Sequence, residues 1–268
     1  MAKTKAAPKR EATPAKKTAT AKKKKTTAKK KTSKAPVAGS SSFPGFPPDL
    51  FQFLAELGLN NEREWFEPRK ARYEESVREP ALAFIRAMAP RITALSPHFQ
   101  AIDKKVGGSL MRPYRDVRFS KDKTPYKTNV GIQFRHASGK DVHAPGLYLH
   151  LEPGSCFVGG GLWHPDAEPL ASIRRRIADE PDAWLRVRDE PSFRRAFELS
   201  GESLKRPPRG FDAEHPCIED LKRKDHVAMT SVSVRMLTSP SALDEITELL
   251  MASRNYLRFL CDAVGVAF

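Results

Sequence analysis

The sequence predicts an α+β fold: a central antiparallel sheet flanked by N-terminal and C-terminal helices, behind a disordered Lys-rich tail. Three observations predict it. Apolar residues recur at helical spacing between Phe43 and Leu95, the period drops to two between Phe99 and Val158, and helical spacing then returns toward the C-terminus. Residues 1–42 stand apart, since apart from Val37 and the initiator nothing there can join a core.

The elements follow in chain order. In "FPGFPPDLFQFLAELGLNN", Leu50, Phe51, Leu54 and Leu57 share one helical face, with Pro47 and Pro48 before the start and Gly58 at the end. "NEREWFEPRKARYEESV" opens with Asn61 three residues before Glu64, a capping-box spacing. A longer helix carries Leu82, Ile85, Met88, Ile92 and Leu95, with Pro80 and Pro90 beginning or bending it. The strands come next. Val130, Ile132 and Phe134 alternate with Gly131 and Gln133, and Leu147, Leu149 and Leu151 alternate with Tyr148, His150 and Glu152. "HASGKD" and "EPGS" supply turns, and Asp116–Phe119 reads as a further strand ahead of the connector "SKDKTPYK". "DAEPLASIRRRIADEP" and "PSFRRAFELSG" read as surface helices and "HVAMTSVSV" as a strand. "SPSALDEITELLMASRNYLRFLCDAV" reads as one terminal helix capped by Ser239 or Ser241.

Charge separates the two parts. The chain has a formal net charge of +15; residues 1–42 hold 13 Lys and one Arg against one acid, leaving 33 bases against 31 acids in residues 43–268. The basicity belongs to the tail, and any positive site on the fold must be local. Cys156, Cys217 and Cys261 are widely spaced and form no CxxC, which suits buried thiols in a reducing compartment. The N-terminus has no apolar h-region, and no apolar run approaches a membrane span. The expectation is a cytoplasmic protein without membrane contact, nucleoid-associated in a bacterium or nuclear in a eukaryote.

The tail's "PAKK" and "TAKKK" units resemble the Lys/Ala/Pro tails of linker histones and of bacterial histone-like proteins. That resemblance implies non-specific contact with nucleic-acid phosphates through Lys16, Lys17, Lys22, Lys23, Lys24, Lys25, Lys29, Lys30 and Lys31. Counterion release from such contacts makes the affinity steeply salt-dependent. A merely solubilising arm is the plainer reading.

Three segments of the domain hold candidate site residues. "RDVRFSKDKTPYKTN" packs five cations and two aspartates around Phe119 and Tyr126. Arg115, Arg118, Lys123 and Lys127 can bind a phosphorylated or carboxylated ligand; a structural network of the arginines with Asp116 and Asp122 explains the same residues. "LYLHLEPG" puts Tyr148, His150 and Glu152 on the face opposite the leucines, where His150 can shuttle a proton, Glu152 can assist it, and Tyr126 or Tyr148 can donate a hydrogen bond. Half-exposed strand polar residues would look the same. "GGGLWHPD" lets backbone approach a ligand or strand closely, with Trp163 as the wall of the anion pocket or as a core plug. His136, His143 and His150 recur every seven residues, but intervening Gly and Pro rule out one helix face. No metal set, dinucleotide fingerprint, GxSxG or phosphate loop is present, so no metal or cofactor is expected.

"FQFLAELGLNNEREWFEPRKARYEE", "YRDVRFSKDKTPYKTNVGIQF", "GLYLHLEPGSCFVGGGLWHPD" and "LKRPPRGFDAEHPCIEDLKRKD" together resemble the conserved hypothetical proteins of bacteria and fungi filed as a domain of unknown function, the one numbered twenty-four sixty-one. The resemblance covers the chain from Phe43 onward, leaves the tail as an extension, and implies no reaction, cofactor or catalytic residue. Three functions stay open: a module binding a small anionic ligand, an enzyme acting on one, and a nucleoid- or chromatin-associated protein-interaction module.

Overall fold

The computed structural model describes residues 43–139 and 144–268. The lysines of the tail and His143 lie outside the described residues. Helix α1 (Pro48–Leu59) starts at two prolines whose fixed φ suits a first turn, and it buries Leu50, Phe51, Phe53, Leu54 and Leu57. A continuous helical run follows: α2 (Arg63–Phe66), a 3-10 turn at Glu67–Arg69, α3 (Lys70–Tyr73), a π turn at Glu74–Arg78 and α4 (Glu79–Leu95). Pro80 offers no N–H to the carbonyl of Ser76 and crowds it, so the wider turn forms where a regular one would clash. Arg72 ties the run back to α1, donating to Asp49 (3.1 Å) and Glu56 (2.6 Å).

The sheet is antiparallel throughout, in the order β1-β2-β3-β4-β6-β5. Its strands are β1 (Phe99–Gln100), β2 (Val130–His136), β3 (Gly146–Leu151), β4 (Phe157–Leu162), β5 (Glu198–Ser200) and β6 (His226–Ser231). Between β4 and β5 lie α5 (Ala167–Asp179), α6 (Pro181–Arg188) and α7 (Pro191–Ala196); α8 (Ile218–Leu221) precedes β6. After β6 come α9 (Val234–Leu237), α10 (Ala242–Ala252) and α11 (Arg254–Ala263). Helices α4, α10 and α11 pack on the face carrying Ile132, Phe134, Leu147, Leu149 and Val158, all buried. Gly160 permits that contact, because a Cβ there would sit 3.1 Å from Leu147 and 3.3 Å from Leu257. Among the described residues no helix is long and apolar enough to cross a membrane.

The α+β class, the alternating strands and the first helix stand as the sequence implies; five details differ. "PSFRRAFELSG" is helical only to Ala196, and Glu198–Ser200 instead pairs with β6 as strand β5. Asp116–Phe119 forms no strand: the ladder contact nearest to it is the isolated bridge between Tyr114 and Tyr126. Asn61 does not cap α2: its side chain reaches instead across to Tyr126, donating to the carbonyl (2.9 Å) and accepting from the N–H (3.0 Å). The terminal helix is two helices, broken at buried Ser253, whose hydroxyl donates to the Leu250 carbonyl (2.7 Å). Ser241 precedes α10, but its hydroxyl donates to Glu245 (2.6 Å) rather than accepting from a backbone N–H. The three cysteines are buried free thiols.

His226, on β6, is fully enclosed, with its ring edge-on to Trp184 at 6.1 Å. Burial first, then the cations Arg223 and Arg174, push its pKa down to about 3. The unfolded chain therefore binds this proton more tightly than the folded one between pH ~6.5 and ~3, so the native state loses stability as pH falls through that window. The loss attributable to His226 should be about 2 kcal/mol at pH 5. Urea unfolding at pH 7 and pH 5 should show that difference shrinking by this amount in His226→Leu; an unchanged difference would contradict it.

Candidate functional site

The face of the sheet opposite the leucines opens into a cleft of about 630 Å³. Its shape follows from alternation. Register pairs Gln133 with Tyr148 and Tyr148 with Gly159, so these residues share one row of one face; the next row toward the β3 C-terminus holds Gly131, His150 and Phe157. Glycines make the floor, and Tyr148, Phe157, Met229 and Trp163 supply aromatic and apolar walls. Gly131 is required where it stands, because a Cβ would lie 2.6 Å from the Tyr148 hydroxyl and 2.7 Å from Met111 Sδ. Gly161 has φ +131°, and a Cβ there would strike the His226 carbonyl at 2.0 Å.

At one end a chain of polar groups converges on His150. Its Nε2 lies 3.1 Å from Glu152 Oε2, and its Nδ1 lies 3.2 Å from the Tyr148 hydroxyl and 3.3 Å from Asn129 Nδ2. Thr128 donates to the other Glu152 oxygen (2.9 Å). A carboxylate only accepts, so this arrangement assigns the proton to Nε2 and leaves Nδ1 to accept from Tyr148 and Asn129. The imidazole stacks flat on Phe157, with centroids 4.6 Å apart and planes at 9°. Burial, and then the charge of Glu152, raise the pKa of Tyr148 above the ordinary phenol value, which keeps it a neutral donor.

The far end of the cleft, four strand residues or roughly 13 Å away, holds Arg135, Trp163, Ser200 and Gly201. Trp163 is 68 % exposed, so it is a wall and not a plug. Beside it His164 adopts φ +48°, the one non-glycine residue with positive φ among those described. Its N–H donates to Asp225 Oδ1 (2.7 Å), and its ring Nδ1 lies 3.3 Å from the same oxygen. Asp225 is 1 % exposed, and its other oxygen accepts from the Glu202 N–H (2.8 Å). Gly201 makes room for that carboxylate, since a Cβ would meet the Asp225 Cβ at 2.4 Å.

The structure thus brings His150, Glu152, Tyr148 and Trp163 to one cleft and its margin, while the other predicted residues lie elsewhere. Tyr126 is turned inward, 1 % exposed and stacked on Phe66 at 4.1 Å, and it does not line this cleft. Arg115 is engaged by Asp122 and Thr124. Arg118, 76 % exposed, donates twice to Asp116 (2.9 and 2.7 Å). Lys123 donates to the Val117 carbonyl (2.8 Å). Lys127 is half-buried, and burial followed by the neighbouring Arg112 lowers its pKa. None of these cations lines the cleft. Among the described residues no group of three or more His, Cys, Asp or Glu is placed to hold a metal ion.

Sequence reasoning missed Gln133, Arg135, Phe157 and the His164–Asp225 pair. Gln133 and Arg135 were available from the alternation, since they share the parity of Tyr148 through strand register. The His164–Asp225 contact spans 61 residues and has no local signal.

Fold and site together define an α+β protein in which an antiparallel sheet, backed by helices on one face, offers a ligand-sized cleft on the other. The family model for the conserved hypothetical protein (DUF2461) matches residues 49–259, and the chain belongs to that family. No curated protein and no solved structure matches it.

The "RDVRFSKDKTPYKTN" segment depends on Asn61 for its anchorage. Asn61→Ala should strand the N–H and carbonyl of Tyr126 and cost about 1–3 kcal/mol in urea unfolding. Limited proteolysis should then cut between Arg115 and Lys127 faster than in the parent protein. Equal stability and equal cleavage would show that the segment stands without Asn61.

Proposed function

We propose that the cleft binds a small molecule with a flat, mostly apolar body and a polar head directed at Tyr148 and His150. One observation carries this reading: a satisfied polar chain of Thr128, Glu152, His150, Asn129 and Tyr148 ends on a mostly apolar trough of about 630 Å³. Pockets for small ligands have this make-up, with apolar walls for affinity and a few fixed polar groups for orientation. Aromatic faces at Phe157, Tyr148 and Trp163 favour a planar body. Thermal-shift measurement with 2-naphthol and 6-hydroxy-2-naphthamide tests it. The expected result is a rise in Tm for the parent protein and none for His150→Ala; no shift in either protein would remove the reading.

The same chain favours an acid–base enzyme as a second reading. A ligand proton taken by Tyr148 can pass to His150 Nδ1 while Nε2 leans on Glu152, the arrangement in which a carboxylate orients an imidazole.

The tail is a separate proposal, supported by composition alone. Thirteen lysines in residues 1–42 suit sequence-independent contact with nucleic-acid phosphates. Removing residues 1–42 should abolish retention on double-stranded DNA at about 50 mM salt, whereas the full chain should be retained and released as salt rises toward about 200 mM. Retention of the shortened chain would place the DNA contact in the fold instead.

A further inference from the structure

We infer that Arg135, steadied by Gln133, takes a carboxylate of the ligand over Gly146. This rests on the proposed cleft reading and narrows it to planar molecules that carry an acid at one end.

Register builds the place. Arg135 on β2 stands opposite Gly146 on β3, and Gly146 stands opposite Gly161 on β4. All three line the cleft, in the row next to that of Tyr148 and roughly 7 Å further along the strands. Two of the three positions have no side chain, so the space above that row is left to Arg135. Packing does not account for the glycine at 146. A Cβ there would meet Gln133 Nε2 at 3.7 Å and the Phe134 carbonyl at 3.8 Å, both ordinary contacts. What a larger residue would take is the cleft floor beside Arg135.

The donors converge on the same floor. Arg135 Nε donates to Gln133 Oε1 (3.0 Å). That contact fixes which way the Gln133 amide faces: its oxygen meets the guanidinium, and its nitrogen lies over Gly146. Nε is the nitrogen outside the terminal fork, so Nη1 and Nη2 keep the paired geometry that takes a carboxylate bidentately. Gln133 Nε2 adds another donor beside them.

Charge agrees with this placement. Among the described residues lining the cleft, Arg135 is the one Lys or Arg, and there is no Asp or Glu. The one acid in the six strands is Glu198 on β5, four strands from β2 and roughly 19 Å away. Arg115 and Arg118 are engaged by Asp122 and Asp116, whereas Arg135 is steadied by a neutral amide. A guanidinium stays charged throughout the physiological range, so no protonation step precedes binding.

The test is calorimetric titration of the full chain, Arg135→Gln and Arg135→Lys with 6-hydroxy-2-naphthoate and its neutral counterpart, 6-hydroxy-2-naphthamide. The tail is present in all three chains, so differences among them report on position 135. The parent protein should prefer the acid by about tenfold or more, the scale of one charge-assisted hydrogen bond. Arg135→Gln should bind the two compounds within about twofold of each other, at the parent's affinity for the amide. Arg135→Lys keeps the charge and loses the fork, so its preference should fall between these two. The parent's preference should hold from about pH 6 to about pH 8, where a guanidinium keeps its charge and an imidazolium loses it. Equal binding of acid and amide by the parent protein would remove the acid assignment and leave the cleft reading standing. The assignment falls too if the preference survives in Arg135→Gln or fades across that pH range. Loss of both compounds alike in Arg135→Gln would mark a structural residue and overturn it as well. If neither compound binds the parent protein, both readings fall.

Discussion

The register of β2, β3 and β4 is the constraint on which the rest depends. It seats Leu147, Leu149 and Leu151 under the helices and therefore turns Tyr148, His150 and Glu152 the other way, with no separate device needed to expose them. A slip of one residue would exchange the two sets, burying a histidine and a carboxylate against α11 and exposing leucines. The apolar face thus fixes the polar one. The glycines of β4 serve both sides of this arrangement: Gly160 lets Leu257 approach on the helical face, and Gly159 and Gly161 keep the cleft floor low. A strand bearing three consecutive glycines is weak by itself. It survives here because β3 and β6 pair with it along its length and because Val158 and Leu162 are buried between them.

How much of this was legible in the sequence follows from the range of each interaction. Period-two alternation placed Tyr148, His150 and Glu152 on one face, because parity is a property of the strand itself. The helical faces of α1 and α4 were legible for the same reason. What failed to show was anything set by distant neighbours. Asn61 carries the spacing of a capping box, yet the backbone of Tyr126, 65 residues away, offers it two hydrogen bonds where the cap offers one. The terminal helix looks continuous in sequence, and Ser253 breaks it by turning its hydroxyl onto the Leu250 carbonyl in a site with no access to water. From its neighbours in sequence Tyr126 looks like a hydrogen-bond donor for a site; its burial and its stacking on Phe66 make it core.

The cationic segment shows why charge density is a poor guide to a site. Five cations within Arg115–Asn129 invite an anion, but Asp116 and Asp122 are near enough to engage Arg118 and Arg115 first. Such exposed pairs contribute little to stability. Their effect is on availability, since a ligand would have to displace a carboxylate already in place. Beyond the tail the chain is almost neutral, and the cleft's cation, Arg135, comes from a strand that carried no cluster.

His150 lines the trough, His164 follows Trp163 near its far end, and the two imidazoles are held in opposite ways. Around His150 the protein supplies partners for both ring nitrogens, so the ring is fixed. Around His164 the protein supplies one ring partner, a buried carboxylate, which also accepts from the His164 N–H, and the residue's backbone is left-handed. Asp225 also holds the Glu202 N–H, so the same carboxylate joins the chain after β4 to the chain after β5. That double duty explains why it can be buried: three donors from two segments replace the water it loses. Removing the imidazole alone would leave two of those donors in place.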